Sequence, residues 1–107
     1  PEEIEAAKGK RAELATKSLL QACEAYYLNP ASGNMYPKKL AELATPVFGT
    51  APFVRDARDL TDPWGKAYRY KVVELDDGGQ RPFVWSEREV NGKTVVYGKR
   101  PPEPKKK

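Results

Sequence analysis

Closely spaced acidic side chains are the first residues here that could do chemistry. Asp56 and Asp59 stand three apart and Asp76 and Asp77 are adjacent, and two carboxylates held close can share a proton as a general acid–base pair. Both pairs lie in loop-like stretches, where helix capping and turn closure account for an Asp without any reaction. The rest of a catalytic apparatus is missing. The 107 residues include no His, no nucleophile motif, no Gly-rich phosphate loop after a strand, and no Cys or His cluster with zinc-binding spacing. The single thiol, Cys23, has no partner for an internal disulfide. It falls beside Leu19, Leu20 and Tyr27 in a helical pattern, the setting of a buried structural cysteine. These residues point to a protein that is not an enzyme.

Charge gives a second class of function to weigh. The formal net charge is +4, and from Lys66 onward there are 11 basic against 6 acidic side chains. A basic excess can attract nucleic acid or an anionic surface. Here the basic groups alternate with acids or sit in the tail, with no interleaving of aromatic and basic residues, so no nucleic-acid partner is expected. Hydrophobic residues make up 39% and charged residues 32%, a polar but globular balance for one domain. No apolar run approaches the roughly 18 residues of a membrane span.

What positions these groups is a change of character at Asp62-Pro63-Trp64-Gly65. Upstream the chain reads as helix and loop, and downstream as strand and turn. Asp62 can accept from backbone N–H groups ahead of it, Pro63 fixes φ at the second turn position, and Gly65 gives an unhindered exit. Trp64 is costly to leave in water and is expected to pack against the tyrosine-bearing end of the first helix. Tyr68, Tyr70 and Val72 then alternate with Arg69 and Lys71, the pattern of a strand with one buried face.

The first helix is predicted over residues 2–28. Ala12, Ala15, Leu19, Ala22 and Tyr26 recur at spacings of three and four, and Leu20, Cys23 and Tyr27 widen the stripe. The charged start, Glu2 to Arg11, is expected to project as a solvated stalk, and Gly9 is a poor helix-interior residue at a cost of about 1 kcal/mol. Asn29 to Asn34 ends the helix. After Tyr36-Pro37 a short helix is predicted over 38–44, with Leu40 and Leu43 inward and Lys38, Lys39 and Glu42 in water. Residues 45–61 form a long connection pinned by Val47, Phe48, Phe53, Val54 and Leu60. The sheet occupies about 67–98, with a turn at Asp76 to Gly79, a strand over Arg81 to Ser86 carrying Phe83 and Trp85, a tight turn at Asn91-Gly92, and a strand over Lys93 to Tyr97. The fold class is α+β: a long N-terminal helix on a small three-stranded antiparallel sheet, one domain over 1–100. Residues 101–107 are expected to be disordered.

Leu60 to Tyr70 resembles the Asp-Pro-Trp-Gly-x-x-Tyr-x-Tyr signature of the major pseudopilin family of bacterial type II secretion systems. The helix ending in Tyr26 and Tyr27, the Tyr36-Pro37 pair and the segment around Leu40 and Leu43 follow in the family's order, and the likeness covers about residues 8–86. The resemblance implies a pilin-like fold with Tyr26, Tyr27, Tyr36, Pro37, Asp62, Pro63, Trp64, Gly65, Tyr68 and Tyr70 as its core and turn residues. It also implies an apolar membrane helix of roughly 20–25 residues preceding Pro1. The activity implied is polymerisation into a periplasmic pseudopilus anchored at the inner membrane, with copies of itself, other pseudopilins and an inner-membrane assembly platform as partners. Ala12, Ala15 and Leu19 are the expected assembly residues, and the fragment alone is expected to be a monomer.

Family members hold Ca²⁺ in a loop of Ser-x-Gly-x-Asp-Gly type. The matching stretch, Ser86 to Gly92, has Arg88 in place of glycine and lacks the aspartates, leaving Ser86, Glu87, Glu89 and Asn91 as the oxygen donors for an ion that wants six to eight. No cofactor is expected. Two other readings stand beside this one: a minor pilin of a competence or adhesion filament that binds DNA or a surface, and a periplasmic binding domain that never enters a filament.

Overall fold

The computed structural model describes residues 2–103, with the side chain of Glu2 excepted. The first helix, α1, spans Glu2–Leu28. It ends where Asn29 caps a 3-10 turn at Pro30–Ser32, its side chain accepting from Ala31 N at 2.9 Å. The second helix, α2, is only Ala41–Ala44, shorter than the predicted 38–44. Lys39 and Leu40 instead supply the carbonyls of the entering turn, to Glu42 N and Leu43 N. A further 3-10 turn at Ala57–Leu60 is capped by Asp56.

Three strands follow: β1 (Arg69–Glu74), β2 (Gln80–Val90) and β3 (Lys93–Gly98), antiparallel in the order β1-β2-β3. Arg69 lies opposite Trp85 in the first pair, and Trp85 opposite Gly98 in the second. The hairpin between β2 and β3 turns on Asn91 and Gly92, whose φ values of 51° and 78° are those of a primed turn. The α+β architecture read from the sequence is thus the one the chain adopts, with α1 lying across β2 and β3.

The core is Ala12, Leu19, Ala22, Cys23 and Tyr26 from α1, Leu40 and Leu43 from the α2 region, and Tyr68 and Val84 from the sheet side. β2 extends beyond the predicted Arg81–Ser86 and is buried on both faces from Pro82 to Ser86. Val84 belongs to the cluster beneath α1, whereas the alternate residues Phe83 and Trp85 point to the other face. There the Arg81 guanidinium lies 5.2 Å from the Phe83 ring centroid, and the Trp85 indole donates to Glu87 Oε2 at 2.7 Å. A period-two pattern marks alternation but not which face meets the helix. In the long connection Phe48, Phe53, Val54 and Leu60 pack on the core as expected, while Val47 is 75% exposed.

The charged start of α1 is not a free stalk. Gly9 is buried, and a Cβ built there would lie 2.9 Å from Tyr97 Cε1. The glycine is the opening through which β3 approaches the helix, which offsets its poor helix propensity. One residue further along β3, Gly98 N donates to Glu13 Oε1 at 3.0 Å. Pro101 to Glu103 carry no regular structure, and the remainder of the expected disordered tail lies outside the described residues.

Candidate functional site

The turn at Asp62 is built around a carboxylate that accepts three hydrogen bonds. Asp62 is 5% exposed. Its Oδ1 accepts from Trp64 N at 3.0 Å and Lys66 N at 2.9 Å, and its Oδ2 accepts from Ser86 Oγ at 2.6 Å. The backbone closes the same loop: Gly65 N donates to Asp62 O at 3.0 Å, Asp62 N to Lys66 O at 2.6 Å, and Tyr68 N to Leu60 O at 3.0 Å. Gly65 takes φ 87°, the left-handed region where a side chain would be strained. Pro63 precedes the half-buried Trp64, so the turn aims the indole while its carboxylate grips β2. Each of the three carboxylate bonds has an ionic acceptor, the stronger kind of hydrogen bond.

Trp64 reaches a different part of α1 from the one expected. Its Nε1 donates to Glu5 Oε2 at 2.8 Å, its ring lies 4.9 Å from that of Tyr97, and the Arg88 guanidinium carbon sits 4.5 Å above it. Arg88 Nη2 is 3.1 Å from the same Glu5 oxygen. The indole thus docks on the opening turns of the helix, not on the end bearing Tyr26 and Tyr27. The bond from Trp64 and the cations Lys8 and Arg88 hold the Glu5 carboxyl below its usual range. The sequence marks neither Glu5 nor Tyr97 as part of a contact, and Arg88 stands out there only as the residue in place of the calcium-loop glycine. Gly9, an unfavoured residue in an otherwise regular helix, was the signal that something approaches there.

The tyrosine-bearing end is covered by other aromatic residues. Tyr26 packs on Phe48 and Phe53 at centroid distances of 5.0 and 5.5 Å, and its hydroxyl donates to Glu42 Oε1 at 2.8 Å, so Glu42 is not simply in water. Tyr27 stacks on Tyr36 at 4.6 Å, and the Tyr36 hydroxyl donates to Glu24 at 3.0 Å. Pro37 is buried, and its carbonyl accepts from the Tyr70 hydroxyl at 2.6 Å. Burial, followed by a carboxylate neighbour, pushes Tyr26 and Tyr36 up to about 12. Tyr68 rises to about 12 through burial and the charge of Asp62, and Tyr70 also moves up, again chiefly through burial. Cys23 is fully buried and its thiol is pushed up to about 12, so little thiolate exists near neutrality.

The four calcium candidates do not converge. Ser86 is buried and committed to Asp62, Glu87 accepts from Trp85, and Glu89 accepts from Thr94 Oγ1 at 2.9 Å. Asn91 is exposed in the hairpin turn. Among the described residues no three His, Cys, Asp or Glu side chains stand close enough to hold a metal ion. One member of each acid pair is engaged in a local hydrogen bond. Asp56 caps the 3-10 turn and binds Arg58, whose side-chain bond holds its carboxyl down to about 2, and Asp77 Oδ1 accepts from Gly79 N.

Of the expected assembly residues, Ala12 and Leu19 are core, covered by the chain's own sheet and loops, and Ala15 is half-buried. The stripe chosen for its apolar character is the one that folding consumes. Beside it a groove of about 520 Å³ runs between α1 and the 53–63 segment, lined by Arg11, Arg55, Arg58, Phe53, Val54 and Tyr68 among others. No family model, curated protein or solved structure matches the chain. No helix among the described residues is long and apolar enough to cross a membrane.

Proposed function

We propose that this chain is the globular part of a pseudopilin-like structural subunit, which polymerises into a periplasmic filament that helps export folded proteins. The observation that supports it best is the turn at Asp62. Its signature residues carry the resemblance, and its carboxylate ties the loop region to β2 while Trp64 ties it to α1. One compact device thereby fixes a long helix to a small sheet, which is what a subunit needs if it is to pass force from a helix to an outer layer. The partners on this reading are copies of itself, related pseudopilins and an inner-membrane assembly platform. The membrane anchor would be an apolar helix continuing α1 upstream.

Filament assembly on this model uses heterologous contacts, the same pair of unlike surfaces repeated from subunit to subunit. The test is the coding sequence upstream of residue 1, followed by recovery of the full-length product. Expected are an apolar segment of roughly 20 residues in helical phase with α1 and the product in envelope filaments. A product that lacks such a segment, or stays unassembled with the anchor present, overturns the proposal.

A further inference from the structure

The groove beside α1 and the tip of the β1–β2 hairpin are complementary in charge, and they lie at opposite ends of one strand. Arg58 is already held by Asp56, with Nη2 at 2.9 Å from Oδ2. Arg11 and Arg55 form no ion pair among the described residues, and Asp59 is the single acid among the groove's lining residues. The floor between them is apolar, from Phe53, Val54 and the ring of Tyr68. The size falls within the roughly 300–1,000 Å³ of ordinary binding clefts. Such a cleft selects an acidic segment that carries an aliphatic side chain.

The hairpin tip has that composition. Glu74, Asp76 and Asp77 surround Leu75, all four are exposed, and Leu75 shows 43% of its surface. The tip is held in shape by Leu75 N donating to Gly79 O at 2.7 Å, Gly78 N to Leu75 O at 2.9 Å, and Gly79 N to Asp77 Oδ1 at 2.8 Å. A preformed tip loses little freedom on docking. It cannot reach its own groove: Tyr68 lines the groove just before β1, the tip follows β1, and six strand residues span about 20 Å.

We infer that the acidic hairpin tip of one copy docks into the arginine-flanked groove of the next, with Leu75 on the apolar floor and its neighbouring carboxylates facing Arg11 and Arg55. The contact joins unlike surfaces and leaves a free tip at one end and a free groove at the other, so it can repeat from copy to copy and gives an open array where the rotation does not close a ring. This inference deepens the proposed filament function and rests on it.

The test uses two variants of the 107-residue chain, Ser18→Cys in the groove and Asp76→Cys at the tip, mixed and oxidised with copper phenanthroline. Buried Cys23 supplies little background. The mixed disulfide is expected to form about tenfold faster than in a control mixture of Asp76→Cys with Leu28→Cys. Adding Arg11→Glu and Arg55→Glu to the groove variant abolishes the excess, and Glu74→Lys with Asp77→Lys on the tip variant restores it. Circular dichroism melting of each variant checks that the fold is intact. Equal rates in the two mixtures, or an excess that ignores charge reversal, overturn the inference. That result leaves the filament reading to be judged by the upstream anchor, and a charge-dependent cross-link without an anchor keeps the groove and removes the filament.

Discussion

The two ends of α1 are held to the rest of the molecule by different physics. At the Tyr26 end the contacts are aromatic and aliphatic, with the Tyr26, Tyr36 and Tyr70 hydroxyls donated to a carboxylate or carbonyl. At the Glu5 end they are an indole, a guanidinium and a carboxylate around Trp64, all partly open to solvent. Apolar burial is little affected by salt, whereas an exposed charge network weakens as ions screen it. The comparison teaches that the C-terminal half of the helix anchors the fold and the N-terminal half is a lighter, condition-dependent attachment.

The largest effect that separates the two ends is expected at alkaline pH. Tyr26, Tyr36 and Tyr68 titrate near 12 in the folded chain against 10 for a free tyrosine, and Tyr70 is raised as well. Groups with raised values stabilise fully below the unfolded value and lose that contribution as pH climbs through the folded one. The contribution of these phenols is therefore constant up to about pH 10 and falls steeply from there to about 12. Tyrosinate absorbance should rise together with loss of the far-ultraviolet helix signal; separate, gradual titration of the phenols in an intact fold would count against the anchoring role.

Replacing Asp62 is the next largest. Asp62→Ala leaves Ser86 Oγ buried without its acceptor and frees two turn N–H groups. A loss of about 2–4 kcal/mol is expected in urea unfolding, because unsatisfied buried donors cost about 1–3 kcal/mol each. Asp62→Asn keeps an acceptor and should fall between. Gly9→Val then probes the lighter end: it sets a branched side chain against Tyr97 and is expected to cost about 1–3 kcal/mol as overpacking. If Gly9→Val instead stabilises, Tyr97 can move aside and the approach of β3 is not what fixes this residue.

The smallest effect sharpens the contrast. Glu5→Gln should reduce the salt and acid sensitivity of helix docking without changing the core. The Glu5 carboxyl is held below its ordinary value of 4.5, so its contribution is present above that pH and is lost as pH falls through the lower folded value. Amide exchange over residues 3–10 should quicken in acid and in high salt for the unaltered chain, and respond less in the variant. Equal responses would place the attachment in packing alone.

Much of this architecture is legible in the sequence because its signals are local. The three-four spacing of Ala12 to Tyr26, the Asp-Pro-Trp-Gly turn and the Asn91-Gly92 hairpin each depend on residues close in the chain, and each forms where expected. What escaped depends on residues far apart. The bond between Glu5 and Trp64 spans 59 positions, and nothing in either neighbourhood announces the other. Charge at the start of α1 reads as a sign of solvent because an isolated glutamate prefers water. Paired with an indole N–H and a guanidinium it becomes an attachment point. The groove is hidden for the same reason, since Arg11 and Arg55 meet only after the long connection folds back on the helix.

The hydroxyl of Ser86 and the carboxylate of Asp62 are separated by 24 residues of chain. A polypeptide emerging from its amino end can wind its helix and bend at the proline early, yet Oδ2 of that carboxylate must stay hydrated until the second strand has been delivered, since shedding water without a replacement donor is costly. Completion of the bend is thus a late event that reports on arrival of the sheet. A chain truncated before Ser86 would keep a wet, unlatched bend, and its indole would have no Arg88 or Tyr97 on which to settle.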